Sequence, residues 1–119
     1  MRRLIAVPVF DAAGGFAPAA GLRGTGASPR QLLFRAEACE VDLRIGAQGA
    51  AWILAGQVFG AEGAREVVLS GGEGVRTAAL GPTSEFSFSG LAAGRYELTV
   101  KTPELDIVIP AVEVGAPAP

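Results

Sequence analysis

Glu85-Phe-Ser-Phe-Ser-Gly-Leu-Ala-Ala-Gly-Arg-Tyr-Glu-Leu-Thr-Val100 is the stretch on which the fold turns. Phe86 and Phe88 fall on one side of an extended chain, with Ser87 and Ser89 on the other. After Gly90, Leu91 and Gly94 the alternation resumes, with Tyr96, Leu98 and Val100 on one face and Arg95, Glu97, Thr99 and Lys101 on the other. Side chains along a strand point alternately to opposite faces, so the pattern predicts two strands joined by a short corner, each with one buried and one wet face.

Working outward, the same period recurs. Cys39-Glu-Val-Asp-Leu-Arg-Ile45 places Val41, Leu43 and Ile45 inward and Glu40, Asp42 and Arg44 outward. Gly46-Ala-Gln-Gly49 turns the chain into Trp52–Phe59, which is apolar on both faces and so predicts a central or covered strand. Glu66–Ser70 and a weaker Val75–Leu80 follow, separated by Gly71-Gly-Glu-Gly74. Leu105–Ile109 and Ala111–Val114 read as one last strand broken by Pro110. Ser28-Pro29-Arg30-Gln31 matches a helix start, yet the residues after it run straight into the Cys39 strand; they are read as an extended Leu32–Ala36 with a kink at Glu37-Ala38. Seven or eight short strands with a turn about every ten residues predict an all-β sandwich or small barrel.

Upstream, Leu4-Ile-Ala-Val-Pro-Val-Phe10 is an apolar run whose Pro8 has no N–H to donate, so it suits only an edge strand or an isolated extended segment. Residues 11–27 have linker composition, rich in Gly, Ala and Pro. The chain therefore divides into an extended N-terminal arm over residues 1–30, a sandwich domain over 31–115 and a tail over 116–119.

Composition bounds the rest. The 119 residues suit one domain, half of them are apolar, and the 17 Gly and eight Pro suit many turns. A net charge of -2 steers neither nucleic acid nor an anionic membrane to the surface. Nine Arg against one Lys, with abundant Ala and Gly, fits a GC-rich bacterial coding sequence and has no functional weight. Cys39 is the sole cysteine, so no disulfide within the chain forms, which favours a reducing compartment such as the cytoplasm over a secreted or cell-surface location. The apolar run after Arg2 and Arg3 is too short and too interrupted for a secretory signal, and no stretch approaches the ~20 apolar residues of a membrane span.

Residues 56 to 114 resemble the carboxypeptidase regulatory-like domains, also called prealbumin-like or transthyretin-like and akin to the Cna-B type. Gly56-Gln-Val58, Val67-Val-Leu69, Phe86-Ser-Phe88 and Leu91-Ala-Ala-Gly-Arg-Tyr-Glu-Leu98 carry the likeness. The resemblance implies a seven-stranded antiparallel β-sandwich. The Asp/Gly turn usual before the Phe-x-Phe strand is replaced here by Pro82-Thr-Ser-Glu85, and residues 1–38 lie outside the likeness. Members serve as adhesin stalks, as domains beside peptidases and as sugar-binding or assembly modules, so the resemblance implies a fold more than a function.

The chemistry available is sparse. There is no His and no Asn, which removes the commonest general base, any triad built on His, N-glycosylation, and the Lys–Asn crosslink of some Cna-B relatives. Lys101 with Asp42 or Asp106 is a formal substitute for that crosslink. One Cys without His cannot hold structural zinc, and the carboxylates form no calcium-loop pattern. Cys39 reads as an inert, half-buried thiol, Glu40, Asp42 and Glu97 as solvated charges, Gly71–Gly74 as a hairpin turn, and Trp52 as core before sugar platform.

The expectation is a non-catalytic protein-interaction or structural assembly module, without cofactor or metal. Its candidate contact residues are Leu4, Ile5, Val7, Val9 and Phe10 of the arm with Leu33 and Phe34. A tethered strand of this kind docks on a sheet edge, its own or a neighbouring subunit's. A carbohydrate-binding module is the alternative, and it requires Trp52 to be exposed beside a polar loop cluster.

Overall fold

Alternating apolar residues form strands that must bury one face, and two such sheets satisfy each other by packing face to face. The computed structural model describes residues 2–12, 30–72 and 74–115, with no side-chain description for residues 2 and 10–12. The described residues form ten strands and no helix: β1 (Arg2–Ile5), β2 (Val7–Ala12), β3 (Arg30–Ala36), β4 (Cys39–Gln48), β5 (Ala51–Phe59), β6 (Glu66–Gly71), β7 (Gly74–Ala79), β8 (Glu85–Leu91), β9 (Gly94–Lys101) and β10 (Leu105–Val114). They make two five-stranded sheets, ordered β1-β10-β9-β6-β7 and β2-β3-β4-β5-β8.

The count exceeds the seven or eight strands that the sequence predicts. The N-terminal run splits in two at Ala6, and residues 30–36 form a full strand that folds back on β4 through the Glu37-Ala38 turn. Nor is the pairing wholly antiparallel, because β1 runs parallel to β10. The linker reading over residues 11–27 gives up Asp11 and Ala12 to β2; the remainder, with the tail at 116–119, lies outside the described residues.

The core follows the sequence period. Leu32, Phe34, Val41, Leu43, Ile45, Leu54, Val58, Phe86, Phe88 and Leu91 enter it from one sheet, and Val67, Leu69, Tyr96, Leu98, Val100, Ile107, Ile109, Val112 and Val114 from the other; all are buried. Each large side chain buried in this way contributes roughly 1.5–3 kcal/mol of transfer free energy. Two cross-strand pairs set glycine against an aromatic ring. Gly56 faces Phe86 and Gly71 faces Tyr96, and an ideal Cβ on either glycine would fall 2.5 Å from the ring it faces. The rings lie over the bare backbone and cover it, which explains why glycine sits inside strands that it would otherwise weaken.

The corner of the decisive stretch is built as its residues suggest. Leu91 plugs it at 2% exposure, and the Tyr96 hydroxyl donates back to the Ala92 carbonyl at 2.7 Å, the arrangement of a tyrosine corner. The Pro82-Thr-Ser-Glu85 departure also closes as a turn. Ser84 N–H donates to Gly81 O, and Ser84 takes φ 62°, a left-handed conformation more often given to glycine.

Each open side of the sandwich is spanned by an arginine. Arg76 of β7 donates to the Ser89 and Gly90 carbonyls of β8 at 2.6 and 3.2 Å. Arg30 of β3 donates to the Glu113 carbonyl of β10 at 3.3 Å. Pro110 lies where the β9–β10 register shifts, between Ile109 and Val112, so its missing N–H breaks no regular ladder.

Candidate functional site

The N-terminal segment starts on one sheet and ends on the other. β1 runs beside β10, Ala6 N–H donates to Val108 O, and β2 then pairs with β3 around a register shift between Pro8 and Phe10. The strand thus docks on edges of its own two sheets. Pro8 stands on β2, an edge strand, as a residue without an N–H requires.

Placement sorts the predicted contact residues. Ile5, Val7 and Val9 are 55%, 57% and 46% exposed. Leu4 is partly buried against the core, and Leu33 is partly exposed on the outer side of β3. Phe34 is 6% exposed and belongs to the core, reaching the surface only where it lines the slot beside the crossing segment; it stands two residues after Leu32 on the inward face, and the Leu-Leu-Phe cluster hid that alternation. Phe10 pairs with Leu33 in backbone register, and its side chain lies outside the description. Beside the crossing segment is a slot of about 420 Å³, whose lining includes Ile5, Val7, Pro8, Pro110 and Ala111. It opens because β1 leaves β10 at Val108 while β10 continues to Val114.

A second recess of about 380 Å³ lies at one end of the sandwich, between the turn at residues 60–63 and the β9–β10 connection. Cys39 borders it and donates its S–H to the Gly60 carbonyl at 3.3 Å. Burial pushes the Cys39 thiol above its ordinary value, and the Glu37 carboxylate pushes it further in the same direction. A thiol held in its neutral form is a poor nucleophile. The floor is structural: Thr102 Oγ1 donates to Leu105 O and accepts the Leu105 and Glu104 N–H groups, which ties the connection shut.

The two outer-face carboxylates of β4 are engaged by neighbours. Glu40 receives a two-nitrogen contact from Arg35 across the β3–β4 pair, and Asp42 accepts from Gln31 and lies 3.7 Å from Arg44. Lys101 and Asp106 do meet, with Nζ 3.3 Å from Oδ2. The lysine is 41% exposed, and the contact is an ion pair on the outer side of the β9–β10 pair. Trp52 lies on the inner side of β5, in line with Leu54 and Val58, and is partly buried against the core, whereas a sugar platform calls for an exposed ring.

Among the described residues no group of three His, Cys, Asp or Glu side chains is placed to hold a metal ion, and no helix is long and apolar enough to cross a membrane. Among the described residues the surface offers exposed apolar strand residues and sheet edges. No family model, no curated protein and no solved structure matches the chain.

Proposed function

We propose that the chain is a non-catalytic protein-interaction or structural assembly module, a sandwich of the carboxypeptidase regulatory-like kind that binds through its sheet edges and N-terminal strands. One observation carries the reading. Ile5, Val7 and Val9 expose about half of their surfaces in a row, on the segment that borders both sheets and next to an apolar slot. Single exposed apolar residues are ordinary, but a contiguous set beside a groove marks a place for another protein. The partner supplies a short apolar segment to lie along that row. A reducing compartment suits a chain whose one cysteine is a free thiol.

The test is site-directed photo-crosslinking from position 8, exposed beside the same slot, in cells of the source organism, with the Ile5→Lys, Val7→Glu, Val9→Lys triple variant carrying the same probe as control. A discrete protein adduct that disappears in the triple variant, at an unchanged urea midpoint, is the expected result. Absence of any adduct, or an identical one from the variant, overturns the reading.

A further inference from the structure

The sandwich has four sheet edges, and they are not treated alike. β1 is four residues long and gives way at Ala6. β2 contains Pro8 and a register shift. β8 has two of its carbonyls occupied by Arg76, and the part of β10 that β1 leaves uncovered has its Glu113 carbonyl occupied by Arg30. Short strands, proline, irregular register and charged side chains are the usual devices that stop an edge from pairing with another chain.

β7 has no proline and no irregular register, and one charged residue. It runs regularly against β6 for all six of its residues, from Gly74 to Ala79, without proline or register shift. Five of its residues are exposed, and Val75 at 68% is the most exposed large apolar residue among those described. Its single charge, Arg76, is directed to β8 and not out over the free edge. We infer that β7 is a pairing edge for a second copy of this chain, joined antiparallel about a two-fold axis through Thr77.

Register singles out that axis. When a sheet continues across a two-fold, directly opposed residues must come from the same face, and faces alternate along the strand. The axis must then pass through a residue and not between two. An axis at Arg76 would set two guanidinium-bearing residues directly opposite, which is unfavourable. An axis at Thr77 opposes Thr77 to itself, Arg76 to Ala78 and Val75 to Ala79, so five residues of each copy pair with no like charges opposed. Axes nearer either end of the strand pair fewer residues. The strand is thus complementary to itself, and a C2 contact of this kind is closed. It is also small, so the dimer should be weak and concentration-dependent.

The inference shares with the preceding proposal only the idea that this domain assembles through its strands. β7 and β1 are opposite edges of one sheet, so each contact can fail alone.

The experiment is sedimentation velocity of the full chain from about 1 µM to about 1 mM, with Thr77→Lys, Thr77→Glu and their equimolar mixture. The wild type should pass from monomer to dimer. Each single variant should need roughly tenfold more protein or greater to do so, and the mixture should recover wild-type association. In a Cys39→Ser background, Thr77→Cys should form an intermolecular disulfide on mild oxidation, because opposed Cα atoms lie about 4.5–5.5 Å apart. Val75→Cys should not, because the two copies of position 75 would be four residues out of register, about 13 Å apart. A monomer at every concentration, a dimer indifferent to the residue 77 charge, or equal crosslinking from positions 75 and 77 overturns the inference. Dimerisation that persists in the Ile5→Lys, Val7→Glu, Val9→Lys variant confirms that the two surfaces are separate; dimerisation abolished by that variant overturns the β7 assignment.

Discussion

Gly56→Ala tests whether the ring-over-glycine pairs hold the sandwich together. The added methyl would sit 2.5 Å from Phe86 Cζ and 2.7 Å from the Asp42 carbonyl oxygen, both far inside contact distance. Overpacking of this sort costs about 1–3 kcal/mol, and the lower unfolded-state entropy of Ala returns about 0.5–1 kcal/mol. A net loss of roughly 1–2 kcal/mol follows from these two terms. Phe86→Leu alone should also destabilise, by about 1–2 kcal/mol, since it removes part of a ring worth more than that in full. The double variant is the informative one. The shorter leucine side chain at position 86 clears the space that Cζ held, so the two losses should fall short of their sum by about 1 kcal/mol. The clash with Asp42 O remains, because backbone cannot step aside, and the rescue is partial. Urea unfolding at equilibrium measures all four proteins on one scale. Strict additivity, or a Gly56→Ala protein as stable as the parent, would refute the packing argument.

Three further outcomes follow from other contacts. Tyr96→Phe deletes the corner hydrogen bond to Ala92 O and should lower stability by about 1 kcal/mol in the same urea assay. Thr102→Val strands two N–H groups that Oγ1 now accepts and should cost about 1–3 kcal/mol. Because the folded state holds the Cys39 thiol above its ordinary value, the unfolded chain loses that proton first as pH rises. The associated stability is complete below the ordinary thiol range, near pH 8.5, and is lost as pH climbs through the folded value; Cys39→Ala should flatten that limb of the stability–pH curve.

The alternation of Val41, Leu43, Ile45, Tyr96, Leu98 and Val100 is legible because a strand with one wet face writes its burial into every second residue; all six are buried. The turns are legible for a related reason, since glycine and proline mark where the chain must reverse. Phe34 reads as a surface residue because Leu32-Leu33-Phe34 has no polar residue to declare the period, and only its partner strand fixes its face. The split at Ala6 is not legible either. Nothing local distinguishes a strand that stays on one sheet from one that changes sheets, because the cause is the distant Val108 carbonyl. The place of β7 at the end of its sheet, among the described residues, is hidden for the same reason: Gly74–Ala79 looks merely weak in sequence, and its position emerges only when the strand order is known.

The parallel pairing of β1 with Leu105–Val108 joins segments about a hundred residues apart. A ribosome delivers β1 long before β10, so the first strand must wait, unpaired on that side, through most of translation. Sheet closure is consequently a late event, and contacts of such wide sequence separation are slow to form. Leu4, which the closed sheet partly buries, therefore stays uncovered on that side until Leu105–Val108 is available to pair.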